Sequence, residues 1–294
     1  MSEIDIVLTW VDQNDPKWQE EKRVYDPDGD NPEGGDVRYR DWNNLQYIFR
    51  GIEKFMPWVH RVYFVTWGHI PKWLNTDHNK LCVVNHRDFI PEKYLPTFNS
   101  NVIDLNIFRI NGLREQFLLF NDDTFVIRPV KKSDFFVNGK PRDVACISPQ
   151  PIARDCIRNT VINNLEIIND HFSINDVRKN KWKWIDFHHY GMLALRSLLF
   201  MRFNSIIGIF EPHIPISFLK SNFEKLWDIE NKAFEETCIN KFRTKLDISA
   251  WLVRYWQLVS GQFEPRSRYF GKLVSASDIQ GVKDILRKPR YKMI

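Results

Sequence analysis

Two carboxylates in succession, Asp122 and Asp123, follow Asn121 directly after the apolar run Phe117-Leu118-Leu119-Phe120. Such a run reads as a buried strand, and the residues just past its carboxyl end are where an open α/β sheet binds ligands. The pattern recurs near the N-terminus, where Ile4 to Val11 runs as a strand into Asp12 and then Asp15. Acidic groups crowded into one crevice repel each other unless a cation lies between them. A hard cation with oxygen ligands keeps positions open for phosphate oxygens, so the pattern reads as a site for a metal and a diphosphate. An Asp-Asp pair alone can equally cap a helix or close an Asx turn; the second cluster at Asp12 favours the metal.

Other residues could serve the same chemistry. Trp10 offers a flat face for a nucleotide base, although a tryptophan at a strand end is more often core. Arg38, Arg40, Arg50 and Arg109 could each fork onto two phosphate oxygens, and Arg40 and Arg109 lie nearest to expected helix ends. His213 stands in Glu211-Pro212-His213-Ile214-Pro215, where flanking prolines would fix the imidazole direction as a general base requires; a histidine in a partly buried turn is the plainer reading. His188 and His189 lack a third ligand at zinc-like spacing and receive no role.

The elements that must position these groups are readable. From Asp41, expected as an N-cap, Leu45, Ile48, Ile52 and Phe55 recur at helical spacing until Pro57. The runs 62–65 and 81–84 read as buried strands of a βαβ series. A second helix starts near Asn99-Ser100 and stops at Gly112. Residues 13–37, rich in Asp, Gly and Pro, read as a long mobile loop. Past Pro151 helical patterns dominate through Phe263 and strand signals thin out. The basic end carrying Arg287, Lys288, Arg290 and Lys292 reads as loose. The expected fold is a Rossmann-like α/β body with a mostly parallel sheet and a largely helical C-terminal half. It forms a single catalytic domain, 1–294, with an α/β nucleotide-sugar-binding part (1–150), a helical part completing the site (151–270) and a basic segment (271–294).

Composition agrees with a large core: 43% of the 294 residues are hydrophobic and 14% aromatic, which excludes disorder. The net charge of +5 favours anionic partners such as nucleotide sugars or anionic lipid surfaces. Cys82, Cys146, Cys156 and Cys238 show no C-x-x-C pairing and read as reduced core thiols, which fits a cytosolic protein without a leader. The stretch 192–210 is interrupted by Arg196, Arg202 and Asn204 and is not expected to span a bilayer. Lys181-Trp182-Lys183-Trp184 and the apolar stretches up to Phe210 would suit a membrane-facing surface, with a core helix as the blander reading.

In ordered blocks, the chain resembles the Stealth proteins, which comprise bacterial capsule-polysaccharide phosphotransferases and the animal lysosomal-enzyme N-acetylglucosamine-1-phosphotransferase. The first block is Ile4 to Asp12 with Asp15-Pro16 and Trp18. The second, much longer, runs from Arg38-Tyr39-Arg40-Asp41 through Pro57-Trp58-Val59 and Leu95-Pro96-Thr97-Phe98-Asn99-Ser100 to Arg109 and Phe120-Asn121-Asp122-Asp123. The third includes His213, Pro215, Lys220, Thr237, Lys241-Phe242-Arg243 and Asp247, ending near Pro265; a fourth is faintly echoed from Lys272 to Asp278. Gln46, Asp104 and Ser277-Asp278 depart from the family pattern.

The resemblance implies transfer of a sugar-1-phosphate from a nucleotide sugar, UDP-linked, to a hydroxyl of a glycan acceptor, with nucleoside monophosphate released. It further implies Mg²⁺ or Mn²⁺ on Asp122, Asp123 and Asp278, and a nucleotide held by Trp10, Val11 and Asp12, the last close enough to share the metal. Arg40, Asp41, Asn99, Ser100, Arg109 and Asn121 become donor contacts, Arg243 stabilises the transferring phosphoryl group, and Asp247 orients His213 or Arg243. A lipid-linked acceptor would bring the protein to the inner membrane face; no nucleic-acid partner is implied. Two alternatives stay open: a metal-dependent glycosyltransferase releasing nucleoside diphosphate, and a Ca²⁺-dependent glycan-binding module.

Overall fold

The computed structural model describes residues 3–29, 31, 33–35, 39–151 and 153–294. Strand β1 (Ile4–Thr9) is followed by helices α1 (Pro16–Tyr25) and α2 (Leu45–Phe55) and by strands β2 (Val62–Thr66) and β3 (Leu81–Asn85). Helix α3 (Ser100–Asn106) leads to β4 (Gln116–Phe120), and β5 (Phe136–Val137) and β6 (Lys140–Asp143) form an antiparallel pair. Helices α4 (Cys156–His171), α5 (Ile174–Lys179), α6 (Lys181–Trp184), α7 (Phe187–Tyr190) and α8 (Ala194–Phe200) precede β7 (Ile216–Leu219). Then come α9 (Lys220–Ile229), α10 (Asn231–Ile239), α11 (Trp251–Val259), β8 (Glu264–Pro265) and α12 (Ile279–Arg287).

The main sheet has the order β3-β2-β1-β4-β7. β1 to β4 are parallel, while β7 runs antiparallel to β4 with Ile216 opposite Leu119. The chain builds outward from β1 to β3 and then returns to the other side of β1 for β4. Strand order therefore reverses between β1 and β4, the place where such sheets open a ligand crevice.

Alternation along the strands explains the layers. Ile6, Leu8, Phe64, Leu118 and Phe120 face Leu45, Ile48 and Ile52 of α2. Val7, Tyr63, Val65, Phe117 and Leu119 face a larger core shared with α3, α4, α9 and α11. Burial on both faces is why these strands read as continuous apolar runs.

Four expectations are corrected. Residues 13–37 contain α1: Asp15 accepts from the amides of Lys17 and Trp18, Pro16 occupies the first helical position, and Trp18 is buried. Helix α2 starts after Asn44; Asp41 instead closes a turn by accepting from the Asn43 amide at 2.7 Å. The helical half contributes β7, four residues too short for its pattern to stand out. The basic end is tied down, since Phe125 and Ile294 exchange backbone hydrogen bonds of 2.8 and 3.0 Å while Tyr291 and Met293 are buried. All four cysteines are free thiols. Among the described residues no helix is long and apolar enough to cross a membrane.

Candidate active site

Three neighbouring strands bring their chemistry to one rim. Leu8 pairs with Phe120, so Asp12 beyond β1 and Asn121, Asp122 and Asp123 beyond β4 leave the sheet on either side of the switch point. Because β7 runs the other way, its beginning lies at that same rim, and His213 precedes it by three residues. His213 has a left-handed backbone, φ +45°, and its exposed ring packs against Trp251 at 5.8 Å. A non-glycine residue held there stores strain that the surrounding fold must maintain.

Asp122 carries the electrostatic signature of this rim. Its carboxyl is pushed up to about 6, first by burial and then by the charges of Asp123 and Asp41, against one backbone hydrogen bond that lowers it. A cation beside these groups would relieve that repulsion. Among the described residues no three His, Cys, Asp or Glu side chains converge to hold a metal by themselves, so Asp122, Asp123 and Asp278 are not assembled as a trio. Asp278 is exposed and caps α12, accepting from the Gly281 amide at 2.8 Å. Adjacent Asp122 and Asp123 still suit magnesium, which commonly takes one or two carboxylates and completes its shell with substrate phosphates and water.

Trp10 forms floor rather than a stacking surface. It is 8% exposed, its ring stacks on Phe64 at 5.7 Å and meets His69 edge-on at 5.1 Å. His69, beyond β2, accepts the Asp12 amide on Nε2 at 2.7 Å, which places its proton on Nδ1, 3.8 Å from Asp15. Burial lowers its pKa despite the opposing charges of Asp15 and Asp12, so the neutral ring holds the turn at Asp12. A groove of about 600 Å³, lined by Lys17, Trp67, His69, Asn85 and Arg87 among others, opens between the start of α1 and the exits of β2 and β3.

A second group stands at the start of α3. Val11, beyond β1, packs on the cluster of Trp18, Phe98 and Phe242. The neighbouring Arg243 donates from Nη2 to Ser100 Oγ at 2.5 Å. One turn along α3, Asp104 is pushed up to about 7 by burial, opposed by the Arg243 charge. Asn99 caps α3 and, fully buried, donates to Asp247 at 2.7 Å. Asp247 also receives Thr244 Oγ1 at 2.7 Å and Asn240 Nδ2 at 2.9 Å. Its oxygens hold this loop together and do not orient His213.

Several expected contacts lie elsewhere. Arg109 lies on rings of Phe108 and Trp227, both at 4.7 Å, three residues before Gly112, which approaches Tyr63 near the start of β2. A helix between parallel strands returns the chain to their N-terminal edge, so Arg109 sits away from the rim. Arg50 lies over Tyr47 on α2, whereas Arg40, next to the Asp41 whose charge acts on Asp122, lies over exposed Trp42. Arg38 is outside the described residues. His189 is bound to Asp186 and Arg142, a structural arrangement.

Residues 2–30 match conserved region 1 (CR1) of Stealth proteins, and residues 38–143 match conserved region 2 (CR2). The capsular polysaccharide phosphotransferase WcwK of Streptococcus pneumoniae is 40% identical over 297 residues, covering 100% of this chain and 89% of that protein. The chain belongs to the Stealth family. The exopolysaccharide phosphotransferase cps2G of Lactiplantibacillus plantarum is 38% identical across 99% of the chain and 86% of its own length. For the receptor polysaccharide phosphotransferase WefC of Streptococcus oralis the figures are 38%, 94% and 84%.

This Stealth protein also holds a polar clamp that the sequence did not disclose. Fully buried Arg254 on α11 forks onto Asp143 (2.6 and 3.0 Å) and donates to the carbonyl of Phe210 at 3.0 Å. The next residue, Tyr255, hydrogen-bonds Glu211, and Trp251 one turn earlier contacts His213. One helix face thus grips the strained segment that presents His213. Buried Arg266 lies nearby, and burial brings its guanidinium down to about 10. His69 could have been found by extending the strand-end rule to β2; Arg254, inside an apolar helix pattern, gives no such signal.

Proposed function

We propose that this protein transfers a sugar-1-phosphate from a nucleotide-diphosphate sugar, UDP-linked, to a hydroxyl of a glycan acceptor during capsule or cell-surface polysaccharide synthesis. The convergence of Asp122, Asp123 and His213 on the switch-point rim carries the reading. The phosphotransferase relatives support the reaction class.

In the proposed reaction the acceptor hydroxyl attacks the β-phosphorus in line, and its proton passes to His213. A P–O bond forms to the acceptor oxygen while the bond to the α-phosphate oxygen breaks, giving a phosphodiester and a nucleoside monophosphate. The nucleoside lies along the groove beside His69, with Asp12 and Val11 shaping its inner end. Arg243, held by Ser100 and next to Asp104, stabilises charge on the transferring group from the side. Asp122 and Asp123 would hold Mg²⁺ or Mn²⁺. When bound, that ion neutralises diphosphate charge and steadies the leaving monophosphate. The acceptor is proposed to be lipid-linked, which would place the protein peripherally at the inner membrane face.

Product analysis tests the reaction: with a panel of UDP-sugars and capsular oligosaccharide acceptors, UMP should accumulate one for one with phosphodiester. UDP in its place would assign a glycosyltransferase, and no donor consumption would assign a glycan-binding module.

A further inference from the structure

Helix α8 is apolar on both sides. Ala194 and Ser197, with Met201 just past its end, face the core, whereas Met192, Leu195, Leu198, Leu199 and Phe203 are between 42% and 71% exposed. At 100° per residue, Leu195 and Leu199 lie on the side of α8 opposite Ala194 and Ser197, and Met192, in the 3-10 turn before the helix, and Phe203, in the bend after it, extend the exposed apolar surface. A surface helix normally turns charge to water at these positions. This surface is bordered by exposed Arg196 and Arg202.

The surroundings are cationic. Arg178, at the end of α5, donates to the carbonyls of Met201 (3.1 Å from Nε) and Phe203 (3.4 Å), bringing its charge beneath the end of α8. Lys181 follows, lying 5.0 Å over the ring of Trp182, itself 76% exposed. Lys183 is neutralised by Glu264 at 3.0 Å. From Lys181 to Phe203 the only acid is Asp186, which is bound to His189. Arg178, Arg196 and Arg202 therefore flank exposed leucine, methionine and phenylalanine without local countercharge from that stretch.

We infer that the outer face of α8, with Arg178 beneath its end, docks on an anionic lipid bilayer surface, the apolar side chains entering the interface and the cations meeting headgroup phosphates. Charge complementarity selects this occupant: a second copy would bring the same three cations, Arg178, Arg196 and Arg202, against each other, while an anionic leaflet attracts all of them. The seven residues of α8 are too short to span a bilayer, so contact is in-plane. Nine residues lie between Phe203 and His213, so the proposed base is at most about 35 Å of extended chain from the docked face. The inference rests on the reading of a lipid-linked acceptor for its purpose but not for its test.

Flotation of the full chain with phosphatidylcholine vesicles, with and without 30% phosphatidylglycerol (~0.3 mole fraction), reads the surface directly. Binding should require the anionic lipid, fall with salt, and drop at least about tenfold in Leu195→Glu/Leu199→Glu. Arg196→Gln/Arg202→Gln should weaken it without altering the melting curve. Consumption of UDP-sugar with a water-soluble acceptor should be unchanged in both variants. Equal flotation of wild type and both variants would overturn the proposal, as would concentration-dependent dimerisation abolished by Leu195→Glu/Leu199→Glu. Loss of UMP production in the wild type would instead overturn the reaction while leaving the flotation result standing.

Discussion

At the residue scale, Asp122 and His213 make separable demands. Asp122 is costly to ionise because burial and two neighbouring acids raise its pKa to about 6. A raised folded-state pKa means that the native protein holds this proton more tightly than the unfolded chain. Native stability is then favoured at low pH and is lost as pH rises from the unfolded value near 4 through 6. Asp122→Asn should therefore melt at or above the wild-type temperature at pH 7.5, with the difference vanishing near pH 4. Its turnover should fall on the order of a hundredfold or more, and Mg²⁺ should stabilise wild type but not the variant. A variant that melts lower and keeps its turnover would make Asp122 a turn residue. His213→Ala should lower kcat by roughly 10²–10⁴-fold with little change in donor KM. A defect confined to donor KM would remove the base assignment.

At the element scale, the strained loop before β7 depends on α11. Arg254 bonds Asp143 and the Phe210 carbonyl from within a helix that is otherwise apolar. Arg254→Met leaves Asp143 buried without its partner and should cost about 3–5 kcal/mol by denaturant melts. The double variant Arg254→Met/Asp143→Leu should recover part of that loss; equal loss in both would show that the pair adds nothing beyond its volume. Tyr255→Phe, a gentler change, should lower kcat while preserving the fold. The contrast between α11 and the strands also shows what the sequence could reveal. The apolar run 117–120 ending at Asn121 and the strand-like run 4–11 ending at Asp12 announced β4 and β1, and Asn99 announced α3, because these signals are local. β7, Arg254 and the seat of Asp247 were hidden because their meaning comes from partners 38 to 148 residues away. Arg109 misled for a related reason: its spacing from a helix end was right, but the end faces the wrong edge.

At the scale of the whole molecule, the last residues complete the rim. Lys292 and Ile294 pair with Ile127 and Phe125, immediately beyond Asp123, and Met293 is fully buried. Met293→Glu should cost on the order of 3 kcal/mol and raise donor KM, whereas Arg287→Gln/Lys288→Gln, on exposed positions, should change neither. Unaltered melting and KM in Met293→Glu would show that the pairing is dispensable. The reversed direction of β7 has a further corollary. The acidic side of the rim comes from residues up to 123, while the histidine arrives on a later stretch of chain entering from the opposite end. The helices between β6 and Phe210 can then change without moving either anchor only where the packing of α4 into the shared core and the clamp from Arg254 are kept.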